Sequence, residues 1–238
     1  LLLFQSFMKN FVLVLVVLGV TCPLLKSEVG EDIPYGIEAV TGLRSAYSYR
    51  GFELASSTLD FQLETEVTIN NDLSLAAGGW IASELGGQFE EKTGFLELRT
   101  TLGDAFTASA AVGYHGYSNS VIRSGLDLSG SFTWYAKTDW KFSTSVAHDC
   151  GAGGWHGELA SHYYKRLSDD AFFSGKLGIT ATEDYYGHSG LSDLNGRLSV
   201  TYNINTMLSV TPFVGYSHEL RHRDGNEIHA GLWFEVSF

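Results

Sequence analysis

The chain has 238 residues, with 15 Lys and Arg against 27 Asp and Glu for a net charge of −12, and 27 glycines but only 3 prolines. That length suits one domain or a single β-barrel, and a chain 44% hydrophobic and 13% aromatic is too apolar for disorder. The acidic balance excludes a nucleic-acid partner, which needs clustered Lys and Arg, and 2 cysteines build no disulfide framework.

In chain order, Met8-Lys9-Asn10 comes first, followed by an apolar run from Phe11 to Leu25. A basic start before a short apolar stretch predicts a secretory signal peptide over residues 1–27, too short to cross a bilayer as a helix. Residues 1–7 then lie upstream of a natural start at Met8, and cleavage is expected between Thr21 and Ser27. Gly19, Val20 and Thr21 lack the pattern a lipoprotein needs before Cys22. Cleavage leaves Cys150 as the one thiol, which suits an oxidising compartment. Residues 28–34 are a short lead, and the barrel is expected over 35–238.

Past residue 35 the apolar positions keep a period of two. Leu59, Phe61, Leu63, Val67 and Ile69 interleave with Asp60, Gln62, Glu64, Glu66 and Thr68. Leu194, Leu198, Val200, Tyr202 and Ile204 interleave with Asn195, Arg197, Ser199, Thr201 and Asn203, and Ile228 to Phe238 alternate in the same way. Each stretch predicts a strand with one oily and one polar face. Short polar turns fall at 70–72, 103–104, 137–139, 168–170 and 205–206. Longer connections fall at 49–57, 86–91, 118–125, 150–155, 183–192 and 219–226. Together they predict twelve antiparallel strands in an up-and-down transmembrane β-barrel, with short periplasmic turns and longer extracellular loops. The strand over 208–218 holds Pro212, which fits only an unpaired or bulged position.

Aromatic residues gather near strand ends. Phe106, Trp134, Tyr135, Trp140, Phe172 and Tyr202 lie near short turns; Tyr47, Tyr49, Tyr114, Tyr117, Trp155, Tyr185 and Tyr186 lie near long loops. They predict girdles at the two membrane interfaces. Ala230, Leu232, Phe234, Val236 and the terminal Phe238 resemble the assembly signal of Gram-negative outer-membrane proteins. The run Ser45-Ala46-Tyr47-Ser48-Tyr49-Arg50-Gly51-Phe52-Glu53-Leu54, followed by Ser56-Ser57 and an alternating strand, resembles the opening of the TorF-type porin family. That resemblance covers about 30 residues and implies a monomeric barrel with a pore, in a family of undefined substrate.

With the oily face toward lipid, the opposite face predicts a lumen lined by Glu38, Asp60, Glu64, Glu66, Glu84, Glu97, Asp127, Asp149, Glu158 and Glu235. Arg44, Arg99, Lys141, Arg166, Lys176 and Arg197 join them, with His115, His156, His162 and His229 alongside. Acids outnumber bases, so a channel so lined is expected to favour cations. Charges pairing across the interior would plug it instead.

Other motifs carry less. His218-Glu219-Leu220-Arg221-His222 spells H-E-x-x-H, with Gly225 placed as in a metzincin, but zinc needs both histidines on one helix face. The preceding residues read as strand, where positions four apart are about 13 Å apart. His148-Asp149-Cys150 with His156 offers metal-ligand types without a familiar spacing. His115 and Ser118 stand three apart, which puts them on opposite strand faces and unsuits them to a lipase pair. His148-Asp149 alone is thin support for a membrane protease. Gly151-Ala152-Gly153-Gly154 lacks the Lys-Ser/Thr of a phosphate loop. The expected reading is a bacterial outer-membrane, non-enzymatic channel for small solutes. It needs no cofactor, and its partners are outer-membrane lipid and the outer-membrane assembly machinery. The alternatives are a non-conducting structural or adhesive barrel that binds through its loops and, further behind, a membrane-embedded lipid hydrolase.

Overall fold

A computed structural model describes residues 35–50, 52–118, 122–220 and 226–238. The expected signal peptide and the 28–34 lead lie outside the described residues, as do Arg221, His222 and Gly225. The strands are β1 (Tyr35–Arg44), β2 (Tyr47–Tyr49), β3 (Phe52–Ala55), β4 (Thr58–Asn70), β5 (Leu73–Glu84), β6 (Glu90–Leu102) and β7 (Phe106–Tyr117). They continue as β8 (Gly125–Lys137), β9 (Trp140–Asp149), β10 (Gly154–Arg166), β11 (Ala171–Tyr185), β12 (His188–Asn203), β13 (Leu208–Glu219) and β14 (Asn226–Ser237). Twelve of them form a closed antiparallel barrel: each pairs with its sequence neighbours, and β1 joins β4 on one side and β14 on the other. β2 and β3 stand apart as a small hairpin. Closure leaves no free sheet edge, the condition for a sheet to cross a bilayer.

Alternation sets the barrel's polarity, and the polarity is inverted. Leu59, Leu63, Leu159 and Leu177 are 46%, 48%, 59% and 59% exposed, while Asp60, Asp127 and Asp149 are 4%, 5% and 6% exposed and Glu91 is fully buried. Oily side chains on the outside and carboxylates within are the pattern of a sheet whose outer solvent is lipid. Pro212 fits β13 for a specific reason. It pairs with Leu232 on β14, while the ladder to β12 breaks between Ser199↔Phe213 and Tyr202↔Val210 without changing register. A residue without N–H is tolerated at such a break.

The short turns fall where the sequence places them, but the long connections after the first are shorter than expected, while the first spans 45–57 between β1 and β4 and holds the β2–β3 hairpin. The stretch 183–192 is mostly strand: β11 and β12 extend past the expected loop to a two-residue turn at Tyr186-Gly187, joining Tyr185 to His188. Tyr186 and Gly187 both have positive φ, 49° and 77°, as the mirror-image hairpin turn requires. Two register shifts between Ile179 and Tyr185 keep the extension paired while its Gly, Ser and Asp content disguises it as loop.

The expected outer girdle also needs correction. Tyr114 and Trp155 have outward register positions, but Tyr47 and Tyr185 are 4% and 2% exposed and pack inside the mouth, with Tyr49, Tyr117 and Tyr186 beside them. At the other end Phe106, Trp134, Trp140 and Tyr202 are exposed, with Phe106 stacked on Phe132 and Trp140 on Phe142. Tyr135 lies opposite Lys141 and borders an interior cavity rather than the girdle.

Candidate functional site

Strand register assembles the interior. Glu38 of β1 lies opposite Glu64 of β4, and Val40 lies opposite Glu235 of β14. On β6 Arg99 reaches Glu64 at 2.9 Å, Glu66 at 2.7 Å and Glu97 at 2.6 Å, so one guanidinium gathers three carboxylates. Arg99, Glu66 and Glu97 border a cavity of about 450 Å³ near the Asn70-Asn71-Asp72 turn, which is also lined by Tyr135, Ser109 and Ser131. Arg44 pairs with Asp60 higher on the same wall. On the opposite arc Lys176 of β11 holds Glu158 of β10 through both carboxylate oxygens, at 2.7 and 2.9 Å. Lys141 of β9 lies over the Tyr164 ring at 4.9 Å, and Arg197 of β12 lies over the Trp233 ring at 4.6 Å.

Two of the expected lining residues occupy rims instead. Arg166 sits at the short-turn end, highly exposed and paired with Asp169 and the Ser168 carbonyl, because β10 ends there. Glu84 ends β5 at the opposite mouth, where its carboxylate accepts from the Ser56 amide and hydroxyl.

The first long connection folds inward. Hairpin β2–β3 crosses the outer mouth, and its side chains bind strands around the whole ring. The Tyr47 hydroxyl donates to Glu91 Oε2 of β6 at 2.7 Å, and its ring lies 5.4 Å from Trp80. The Ser48 hydroxyl donates to Glu227 of β14. Arg50, at the tip, pairs with Asp127 of β8 and with Asp149 of β9 at 3.5 Å. The Tyr185 hydroxyl of β11 also donates to Asp149, at 3.1 Å. Tyr47, Leu54, Ala55, Phe89 and Ile122 form an apolar cluster within the mouth. Burial works against the charge on Arg50, but Tyr49 and Asp127 outweigh it and raise the guanidinium pKa above its ordinary value. Beneath the hairpin lies a cavity of about 540 Å³ bordered by Tyr49, Arg50, His156, Glu158, Lys176, Asn195 and Arg197 among others.

Sequence reasoning missed Glu91 and Asp193. Glu91 is fully buried, accepts from Tyr47 and Thr93, and lies 3.2 Å from His115 Nδ1. Asp193, 5% exposed, is held by the Thr180 hydroxyl and the Asn195 amide. Glu91 fell in the expected 86–91 connection, and Asp193 stood between the expected 183–192 connection and the alternation read from Leu194. Extending the alternation Arg99, Glu97, Phe95, Thr93 by one step reaches Glu91, and Arg197, Asn195 reaches Asp193.

The remaining motifs are dispersed. His218 and Glu219 end strand β13 rather than lying on a helix. His148 packs edge-on against Trp155, while its neighbour Asp149 points the other way toward Arg50. Ser118 is tied to Gln88 and Glu90, while His115 faces Glu91 and Asp127. Of the residues expected to form the assembly signal, Ala230, Leu232, Phe234 and Val236 lie on β14 and Phe238 follows it. Phe234 is 40% exposed and Phe238 67%, and the Phe238 backbone bonds Ile37 of β1.

No family model matches the chain, and no curated protein sequence matches it. Solved structures do. The fold is similar to the KdgM porin, with a TM-score of 0.56 at 10% identity, over 85% of this chain and 99% of that one. It is similar to an outer-membrane channel from Pseudomonas putida F1, with a TM-score of 0.57 at 12% identity, covering 88% and 97% of the two chains. It is also similar to the NanC porin, with a TM-score of 0.55 at 12% identity, covering 85% and 98%. At these identities the shared feature is the fold: this chain has the closed twelve-stranded barrel architecture of outer-membrane porins.

Proposed function

We propose that the chain is a channel of the bacterial outer membrane for passive diffusion of small solutes, with a mildly acidic, cation-favouring lumen and no enzymatic activity. The observation that carries this reading is the inverted polarity of a closed barrel: buried Asp60, Glu91, Asp127, Asp149 and Asp193 inside, and exposed aliphatic residues outside. Polar interior cavities at both ends of the barrel support it, as does the likeness to porins. Rings of carboxylates favour cations, and here Glu38, Glu64, Glu66, Glu97 and Glu235 outnumber the one cation, Arg99, set among them. The pore-lining set would comprise Glu38, Asp60, Glu64, Glu66, Glu97, Arg99, Asp127, Lys141, Glu158, Lys176, Arg197 and Glu235, with Arg44 beside Asp60.

The hairpin favours a second reading for the outer mouth. A tip fixed by buried ion pairs narrows the path, and a barrel blocked there would act through its outer surface. The reversal potential across a bilayer in a KCl gradient tests the first reading. The refolded chain is expected to give a cation-selective potential, which Glu64→Lys with Glu66→Lys weakens or reverses. Anion selectivity, or a potential indifferent to both substitutions, overturns the acidic-lumen reading.

A further inference from the structure

A guanidinium already occupies a built pocket at the outer mouth. Asp127 of β8 and Asp149 of β9 are directly paired in register, and both are buried. The Gly151 and Ala152 amides donate to Asp149 Oδ1 at 2.8 and 3.1 Å, which leaves Oδ2 to Arg50 and the Tyr185 hydroxyl. Gly154 makes this possible: it pairs with Asp149, and a Cβ there would strike the Asp184 and Tyr185 backbone. A glycine therefore lets the end of β11 close over β10 and bring its phenol to the carboxylate. Arg50 enters from the hairpin, paired with both aspartates and lying 4.8 Å from the Tyr49 ring and 5.8 Å from the Tyr185 ring. Two carboxylates in register beside aromatic faces are the complement of a planar, delocalised cation.

Arg50 fills this pocket incompletely. Its guanidinium meets Asp127 at Oδ2, an oxygen that His115 Nε2 also approaches at 3.6 Å. Asp127 Oδ1 is buried and has no hydrogen-bond partner among the described residues, and Asp149 is reached only at 3.5 Å. The tether accounts for the shortfall. Arg50 sits at φ 50°, a left-handed conformation that a Cβ disfavours, on a hairpin anchored separately through Tyr47 and Ser48. A free guanidinium carries no such constraint and can span both oxygens of Asp127. Two carboxylates against one guanidinium also leave the group negative, so it attracts cations.

We propose that Asp127, Asp149 and Tyr185 form a receptor for small guanidinium-bearing solutes entering from outside, with Arg50 as its tethered occupant. A solute that takes the place of Arg50 removes the contact pinning the hairpin tip, so binding and opening are linked. The inference rests on the channel reading and names a solute class for its acidic path. A short tether holds Arg50 at an effective concentration on the order of millimolar, so displacement needs solute at that level or above.

Saturation-transfer NMR on the refolded full chain in detergent reads binding without depending on conductance. Methylguanidinium is the probe and methylurea its neutral isostere. Arg50→Ala vacates the pocket and is expected to bind methylguanidinium roughly tenfold more tightly than the parent chain does, and not to bind methylurea. In the Arg50→Ala background Asp127→Asn should weaken binding roughly tenfold, while Asp104→Asn, in a short turn at the other end, leaves it unchanged. If the Asp127 variant loses heat-modifiable gel mobility, and hence its fold, Asp149→Asn in the same background decides. In the parent chain methylguanidinium should speed limited proteolysis within residues 45–57, where an equal concentration of KCl does not. If Arg50→Ala itself fails to fold, this proteolysis decides. Absence of binding by folded Arg50→Ala, equal binding of methylurea, indifference to the aspartate substitutions, or equal proteolysis in KCl would each overturn the proposal. Methylguanidinium binding by a chain that passes no current would uphold the site and overturn the channel.

Discussion

Arg50 adopts a left-handed backbone conformation, φ 50°, at the hairpin tip and spends its guanidinium on Asp127 and Asp149. Those two carboxylates occupy directly paired register positions on β8 and β9, so without the arginine they face each other. Removing one partner of a buried ion pair costs about 3–5 kcal/mol, because the charge left behind is desolvated and unmatched. Arg50→Ala is therefore expected to release the hairpin while leaving the barrel closed. Limited proteolysis should then cut within residues 45–57, where the parent chain resists, and far-UV circular dichroism should stay unchanged. At the same scale Tyr47→Phe removes only the hydroxyl that Glu91 accepts and should loosen the hairpin less than Arg50→Ala, by the same proteolysis. Arg50 was visible in the sequence as part of a Tyr- and Phe-rich run, but nothing local says which way a connection folds. Its partners are 77 and 99 residues away.

Individual strands were far more legible, because a period of two fixes which face meets lipid and which meets water. Leu59 to Ile69 and Ile228 to Phe238 fall on β4 and on β14 with its terminal residue, as read. The reading failed where polar composition and strand pairing disagree. His188, Ser189 and Gly190 look like loop, yet β12 begins at His188 and pairs back to Tyr185. Lipid exposure at the centre of a strand gives a direct test. Leu159, 59% exposed on β10, lies opposite Ile179 and Thr144, and an arginine on such a lipid face costs about 2–4 kcal/mol at mid-bilayer. Leu159→Arg should lower the urea midpoint for unfolding from lipid vesicles, whereas Ser145→Asn, on the interior face, should leave it nearly unchanged. The outward row Ala230, Leu232, Phe234, Val236 and Phe238 is proposed as the assembly signal. Phe238→Ser is expected to reduce the folded fraction recovered from outer membranes, and an undiminished yield would refute that role.

Across the whole molecule, one interior carries two kinds of order. Acids gathered on Arg99 and cations ranked from Lys141 to Arg197 face each other across the barrel, and the hairpin spans the mouth above them. The sequence inventory of lumen charges contained most of these residues, but their segregation into arcs depends on closure between β1 and β14 and could not be read from counts. Twelve strands enclose an interior intermediate between a filled eight-stranded barrel and an open sixteen-stranded channel, so under the proposed channel reading a small inward hairpin is expected to narrow passage. Single-channel recording in planar bilayers tests this most directly, comparing the refolded chain with a variant whose residues 46–56 are replaced by a short Gly-Ser linker. The expected result is small discrete steps from the parent chain and steps several-fold larger from the variant. Equal conductance from both, or silence from both while each retains heat-modifiable mobility, would contradict a water-filled lumen narrowed by the β2–β3 hairpin.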